Sequence, residues 1–305
     1  MNDKALTVTA LRKTYGNVVA VDGVDFAVRR GEIFGVLGPN GAGKTTILEC
    51  LEGIRQPDNG TMDILGVDPT REPRMLRNLI GVQLQSSGLP ATMTVREAMR
   101  FFCAYHDVPP RYDLLERLGL AEKKDAQYEK LSTGQQRRLA LALAVAHRPP
   151  VIFMDEPTAG LDVASRAELH DLMQELQAEG TTLIMATHDM AEAEKMTDRV
   201  AILLRGKIVA TGSPTDLTAA GEGYTKVSVR SERALLSENS TTFPAVTQRF
   251  ADEEYVIYYT TDPGPTVSGI LDYLGDNEDR LIDLRVERPS LEERFLELTN
   301  QGGAA

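Results

Sequence analysis

Apolar positions along this chain fall into short runs whose period changes repeatedly between that of a strand and that of a helix. Between residues 6 and 37, LTVTAL, VVAVDGVDFAV and EIFGVL read as three strands, with Asp22-Gly23 and Arg30-Gly31 marking turns. The third run is continuously apolar from Ile33, the pattern of a strand buried on both faces, and it delivers the chain into a Gly-rich loop. A helix is predicted from Thr45 to about Leu51, followed by a turn over 53–60. Residues 71–129 are mostly helical in pattern, with helices near 73–78, 94–106, 111–118 and 121–127 and a short strand near 79–84. A further helix runs through 139–147 and must stop at Pro149-Pro150, because proline lacks the amide proton and clashes with the preceding turn. VIFM, TTLIMAT and RVAILLRG then alternate with helices at about 163–179 and 190–195. Strand–helix–strand order of this kind predicts an α/β fold with a mainly parallel sheet.

The pattern shifts near Thr211-Gly-Ser-Pro-Thr. Beyond it a small α+β unit is expected, with strands at 225–230, 255–260 and 281–287 and helices at 266–274 and 290–299. Leu291, Phe295 and Leu298 recur at helical spacing, which predicts a core-packed last helix.

Composition narrows the class. The chain has 305 residues, 42% hydrophobic and 26% charged, which argues against disordered and fibrous readings. No apolar run approaches the ~18 residues that cross a bilayer; the longest, 139–146, is followed by His147 and Arg148. The opening MNDKALTVTA lacks the features of a signal peptide, and Cys50 and Cys103 form no metal or disulfide framework, so a cytoplasmic location is expected. The net charge of −12 is uneven: residues 214–305 hold 17 acidic and 8 basic side chains, leaving −3 for residues 1–213. Such a balance argues against nucleic acid as a partner, since that binding needs clustered Lys and Arg.

Candidate chemistry begins at Gly38-Pro39-Asn40-Gly41-Ala42-Gly43-Lys44-Thr45-Thr46, which fits G-x-x-x-x-G-K-[ST] between a predicted strand and a predicted helix. Glycines let the backbone aim N–H groups at phosphate oxygens, Lys44 adds a point charge, and Thr45 offers a hydroxyl to Mg²⁺. The strand 151–154 ends in Asp155, placed to hold Mg²⁺, and Glu156, placed to polarise an attacking water. About twenty residues earlier, Leu131-Ser132-Thr133-Gly134-Gln135 opens a helix, with a hydroxyl and backbone amides for an anion.

In this order the elements resemble the ATP-binding cassette (ABC) ATPases, whose signature segment is usually Leu-Ser-Gly-Gly-Gln. The resemblance covers about residues 5–213 and implies a P-loop NTPase of ABC type: a mixed sheet core, an antiparallel β subdomain and a helical subdomain at about 71–145, followed by a C-terminal accessory α+β domain over 214–305. It further implies that Tyr15 stacks on adenine and that Gln85 touches Mg²⁺ and the attacking water, with Gln83 a rival for that place. Asp162, in Ala-Gly-Leu-Asp, would belong to a loop between two ATP sites, and His188 would contact the γ-phosphate. Thr133 departs from the usual glycine, and its β-branch narrows backbone freedom beside the phosphate.

ATP and Mg²⁺ are thus the implied substrate and cofactor. In this family the phosphate loop of one subunit faces the signature segment of another, which implies a second ABC ATPase subunit, in a homodimer or a heterodimer. A separate transmembrane permease is implied too, docked on the helical region around 71–130, with the protein peripheral on the inner face of the cell membrane. Leu89, Met93, Met99, Phe101, Phe102 and Tyr105 are candidate contacts or, alternatively, helical core. The tail Arg288-Pro-Ser-Leu-Glu-Glu-Arg-Phe-Leu-Glu-Leu-Thr299 resembles exporter ATPases of the daunorubicin-resistance type, which implies efflux of a drug, antibiotic or lipid-like compound. An importer ATPase shares every catalytic residue, and a soluble ABC protein not coupled to transport is the remaining alternative.

Overall fold

A long, bent hairpin opens the chain in the computed structural model, which describes residues 3–84, 88–219, 225–238, 241–251, 254–287 and 290–301. Strands β1 (Lys4–Tyr15) and β2 (Val18–Arg29) pair antiparallel about a turn at Gly16-Asn17. Asp22-Gly23, expected as a turn, lies inside β2. Leu11 pairs Val24 and Arg12 pairs Asp22, so Gly23 is the extra residue of a bulge, at φ +67°. A second bulge at Ala10, at φ +48°, is held by Asp25 Oδ1, which accepts the Ala10 amide at 2.9 Å.

Strand β3 (Ile33–Leu37) is buried at every residue, as its apolar run predicts, and α1 (Lys44–Leu51) follows the Gly-rich loop. Strand β4 (Asn59–Ile64) then joins β1, completing an antiparallel sheet of order β2-β1-β4. Next come α2 (Pro73–Leu79), β5 (Ile80–Gln83), α3 (Val95–Tyr105) and α4 (Tyr112–Arg117). Only a single 3-10 turn, Ala121–Lys123, stands where a helix over 121–127 is expected. Helix α5 (Thr133–Val145) ends before Pro149-Pro150.

The core sheet is completed by β6 (Val151–Asp155), β7 (Thr182–Thr187), β8 (Arg199–Leu204) and β9 (Lys207–Gly212), interleaved with α6 (Val163–Ala178) and α7 (Met190–Met196). Its order is β5-β6-β7-β3-β8-β9, parallel except for β9, which pairs antiparallel with β8. One face packs on α1 and the antiparallel sheet through Phe34, Val36, Ile47, Phe153 and Ile184. The other packs on the helical layer through Ile152, Met154, Leu183, Leu139 and Leu169. Two apolar faces explain why β6 and β7 are buried at every residue.

Contacts divide the chain into two compact units, Met1–Ser213 and Pro214–Ala305. The second unit holds α8 (Pro214–Ala219), β10 (Thr225–Ser231), α9 (Leu235–Glu238), β11 (Val246–Ala251), β12 (Val256–Thr260), α10 (Pro263–Asp276), β13 (Leu281–Glu287) and α11 (Leu291–Gln301). Its antiparallel sheet, β11-β12-β10-β13, has its own core of Val227, Val229, Val256, Tyr258, Ile270 and Leu274. Helix α10 starts three residues before the expected 266, because Asp262 caps it and Pro263 takes the first helical position. In α11 Leu291 is fully buried, whereas Phe295 and Leu298 are half-buried.

Candidate active site

The site is built where β3, β6 and β7 end side by side. Leu37 closes β3, and the loop 38–43 wraps back toward α1. Two glycines are required by space: a Cβ on Gly38 would stand 2.4 Å from the Leu203 carbonyl oxygen. On Gly43, at φ +109°, it would stand 2.2 Å from that of Ala20. Pro39 O accepts the Ala42 amide at 3.1 Å, and Ala42 O accepts that of Gly206 at 3.0 Å, which ties the loop to the end of β8. Asn40, Gly41, Gly43, Lys44, Thr45, Thr46, Asp155, Glu156 and Ala20 line one cavity of about 210 Å³.

Lys44 is 6% exposed, and its ammonium donates to Gly38 O at 2.8 Å and Pro39 O at 3.2 Å. Burial pushes its pKa down, opposed by the carboxylates of Glu156 and Asp155. Thr45 Oγ1 donates to Asp155 Oδ2 at 2.9 Å. Burial pushes the Asp155 carboxyl up, the Thr45 hydrogen bond opposes this, and Glu156 adds to the rise. Asp155 Oδ1 is buried without a hydrogen-bond partner, an orphaned acceptor of the kind that a cation satisfies. The Thr45 hydroxyl and this carboxylate, both hard oxygen donors, fit Mg²⁺.

Glu156 sits at φ +49°, an uncommon conformation for a residue with a side chain, with its amide donating to Ala186 O at 2.9 Å. Its carboxylate faces two cations or potential cations. His188 Nδ1 lies 2.9 Å from both oxygens, and Lys44 Nζ lies 3.7 Å from Oε1. The His188 side chain is 55% exposed, so one edge of it stays open to a ligand. Tyr15, half-exposed, reaches the first turn of α1, with its hydroxyl 3.5 Å from Thr46 Oγ1.

Leu131 anchors the signature segment in the helical core. Ser132 caps α5 through a reciprocal pair: Ser132 Oγ accepts the Gln135 amide at 3.2 Å, and Gln135 Oε1 accepts the Ser132 amide at 3.0 Å. Ser132 and Thr133 are exposed, and Thr133 is the first residue of α5. Asp162 caps α6, accepting from the Ser165 amide and hydroxyl, both at 2.9 Å; these bonds hold its carboxyl below the usual range. Gln85 lies outside the described residues. Gln83, its rival, is buried at the end of β5 with its side-chain amide unpartnered.

Arg55 carries no signal in the sequence, yet its guanidinium stands 5.1 Å over the Tyr15 ring and pairs with Glu49 of α1 at 2.5 Å. No spacing rule brings a loop arginine to an aromatic forty residues earlier. Among the permease-contact candidates, Met99 is fully buried, Leu89, Met93 and Phe102 pack against the helical core, and Phe101 and Tyr105 are exposed.

Residues 21–159 match the family model described as ABC transporter. The chain is 34% identical over 98% of its length to the daunorubicin resistance ATP-binding protein DrrA3 of Streptomyces coeruleorubidus, of which it covers 97%. It belongs to the ABC transporter ATPases. This ABC ATPase is also 36% identical to the Nod factor export ATP-binding protein I of Ralstonia nicotianae, across 97% of this chain and 94% of that one. A solved dimeric structure of a bacterial ABC transporter cassette superposes with a TM-score of 0.63 at 27% identity, covering 68% of this chain and 98% of that one. The ABC ATPase fold expected from the sequence is therefore borne out, and with it the ATP-hydrolysing activity of the family. Among the described residues no helix is long and apolar enough to cross a membrane.

Proposed function

We propose that this ABC ATPase is the energy-supplying subunit of an exporter, coupling ATP-driven closure of a cassette dimer to efflux of a drug, antibiotic or lipid-like compound through a separate membrane permease. The observation that carries this reading is the length of the kinship: the relatives named for daunorubicin resistance and Nod factor export match through 214–305 and not only through the cassette.

In this reading the loop 38–43 and the first turn of α1 cradle the phosphates of ATP, Lys44 offsets their charge, and Tyr15 stacks on the adenine. Thr45 and Asp155 would hold Mg²⁺, together with Gln85, and the ion would neutralise charge on the β- and γ-phosphates. Glu156 orients and polarises the water that attacks the γ-phosphorus. The 2.9 Å contact with His188 supports a shared task, in which the imidazole steadies the carboxylate and contacts the γ-phosphate. Leu131, Ser132, Thr133, Gly134 and Gln135 act on the ATP of a second subunit, a role supported by the exposure of Ser132 and Thr133 at the start of α5. Asp162 lies on the loop between the two sites.

Closure is driven because ATP binds two surfaces in the closed state and one in the open state, and hydrolysis removes that difference. The permease is proposed to engage the cleft of about 270 Å³ lined by Arg77, Leu84, Phe102, Tyr105, His106 and Ile54, which places the protein on the inner face of the cell membrane. Affinity isolation of the tagged chain from detergent-solubilised membranes tests this. A polytopic membrane protein recovered in stoichiometric amount is expected, and recovery of ribosomes or nucleic acid without one would contradict it.

A further inference from the structure

His188 sits on a two-residue bridge between β7 and α7, and that bridge is fastened from below by a buried carboxylate. Glu192 of α7 is 4% exposed. Its Oε1 accepts from His170 Nε2 at 3.0 Å, and its Oε2 accepts from the Thr187 hydroxyl at 3.1 Å. Thr187 Oγ1 in turn accepts the Asp189 amide at 3.0 Å, and Asp189 Oδ1 accepts the Glu192 amide at 2.9 Å. The residues on both sides of His188 are therefore locked to Glu192. The backbone of His188 has little freedom that does not disturb this closed set of bonds.

The partners come from α6. His170 and Arg166 are four residues apart and share one face of that helix. His170 holds Glu192, and Arg166 Nη1 lies 3.6 Å from Asp189 Oδ2. The same helix is capped at its start by Asp162. One rigid element thus carries the inter-site loop at its N-terminus and, one to two turns later, two grips on the bridge that bears His188.

We propose that Glu192, held by His170, is a positioning residue for ATP hydrolysis: it fixes His188 against Glu156 and passes the position of the Asp162 loop to that pair through α6. The proposal rests on the reading of His188 and Glu156 given above. A carboxylate suits this place because it is acceptor-only and can take both the imidazole N–H and the Thr187 hydroxyl. A buried acceptor with both oxygens filled specifies one arrangement, and loss of either donor leaves it unsatisfied.

Phosphate release by the full-length protein tests the proposal in a cycle of variants. Glu192→Ala is expected to lower kcat by about ten- to hundredfold, the scale set by small misplacements of catalytic groups, with KM for ATP within about twofold. Because Glu192 acts through His188, His188→Ala/Glu192→Ala is expected to turn over no more slowly than His188→Ala alone. Thr187→Val, which keeps the shape and removes the hydroxyl, and His170→Gln, which keeps a donor, extend the test should the alanine variant unfold. The first is expected to lower kcat, and the second to retain most of it. Fully multiplicative effects of Glu192→Ala and His188→Ala, or unchanged kcat in Thr187→Val, would overturn the positioning role while leaving the catalytic one intact. Unchanged kcat in His188→Ala itself would overturn both.

Discussion

In the proposed nucleotide site, Lys44, Asp155 and Glu156 bring charge together at a cost to folding. Three charged groups stand within one small cavity, and burial pushes the lysine down and Asp155 up, toward their neutral forms. A triphosphate with its metal would satisfy both the ammonium and the orphaned Asp155 oxygen. Glu156→Gln keeps the shape and removes the negative charge, so kcat is expected to fall by about a hundred- to a thousandfold, with ATP binding kept. Phosphate release under saturating ATP checks this, and full turnover in the variant would remove Glu156 from the mechanism. Thr133→Gly is expected to leave turnover within about threefold of the original, a change below 1 kcal/mol in barrier height, because the reciprocal Ser132–Gln135 bonds that start α5 do not involve the Thr133 side chain. A larger gain, read in the same assay, would show that the β-branch impedes the signature segment.

Helix α1 ends under a second buried acid, Glu52, whose carboxyl is pushed up to about 8 by burial first and then by Asp155 and Glu49. The folded protein therefore holds a proton that the unfolded chain releases near pH 4.5. The stability this represents is full below that value and is lost as pH rises toward about 8. His147, stacked on His106 at the end of α5, has the opposite sign. Burial and then His106 push it down to about 4, so its contribution is lost as pH falls from 6.5 through that value. Glu52→Gln is expected to leave the urea midpoint unchanged at pH 5 and to raise it at pH 8.5; equal midpoints at both would show that Glu52 is hydrated. Strands β3, β6 and β7 are apolar at nearly every position because both faces are covered, so the sequence alone predicts them. Strands β4 (NGTMDI) and β9 (KIVATG) lie at sheet margins with alternating or poor burial, and neither shows the long apolar run of a strand covered on both faces. The bulges at Ala10 and Gly23 depend on pairing partners, which no local pattern reveals. In the site, the segment 38–46 and the carboxylates at the end of β6 follow from local spacing, whereas Arg55 over Tyr15 and Glu192 beneath His188 arise only from tertiary contact.

At the scale of the molecule, the charge imbalance follows the division into two units: the nucleotide-handling unit is nearly neutral, and the excess acid lies in the C-terminal one. That unit has its own core, so removing residues 215–305 is expected to leave the cassette folded and able to hydrolyse ATP. Phosphate release by the truncated chain checks this; loss of turnover would show that the cassette depends on the C-terminal unit.

We propose that ATP hydrolysis at Lys44, Asp155 and Glu156 drives export. The measurement that meets it most directly is ATP-dependent accumulation of daunorubicin, or another lipophilic drug, in inside-out membrane vesicles containing this chain and its permease. Accumulation that requires ATP and disappears with Glu156→Gln is predicted. Accumulation that persists in that variant, or ATP-driven uptake confined to right-side-out vesicles, would contradict ATP-driven export by this protein.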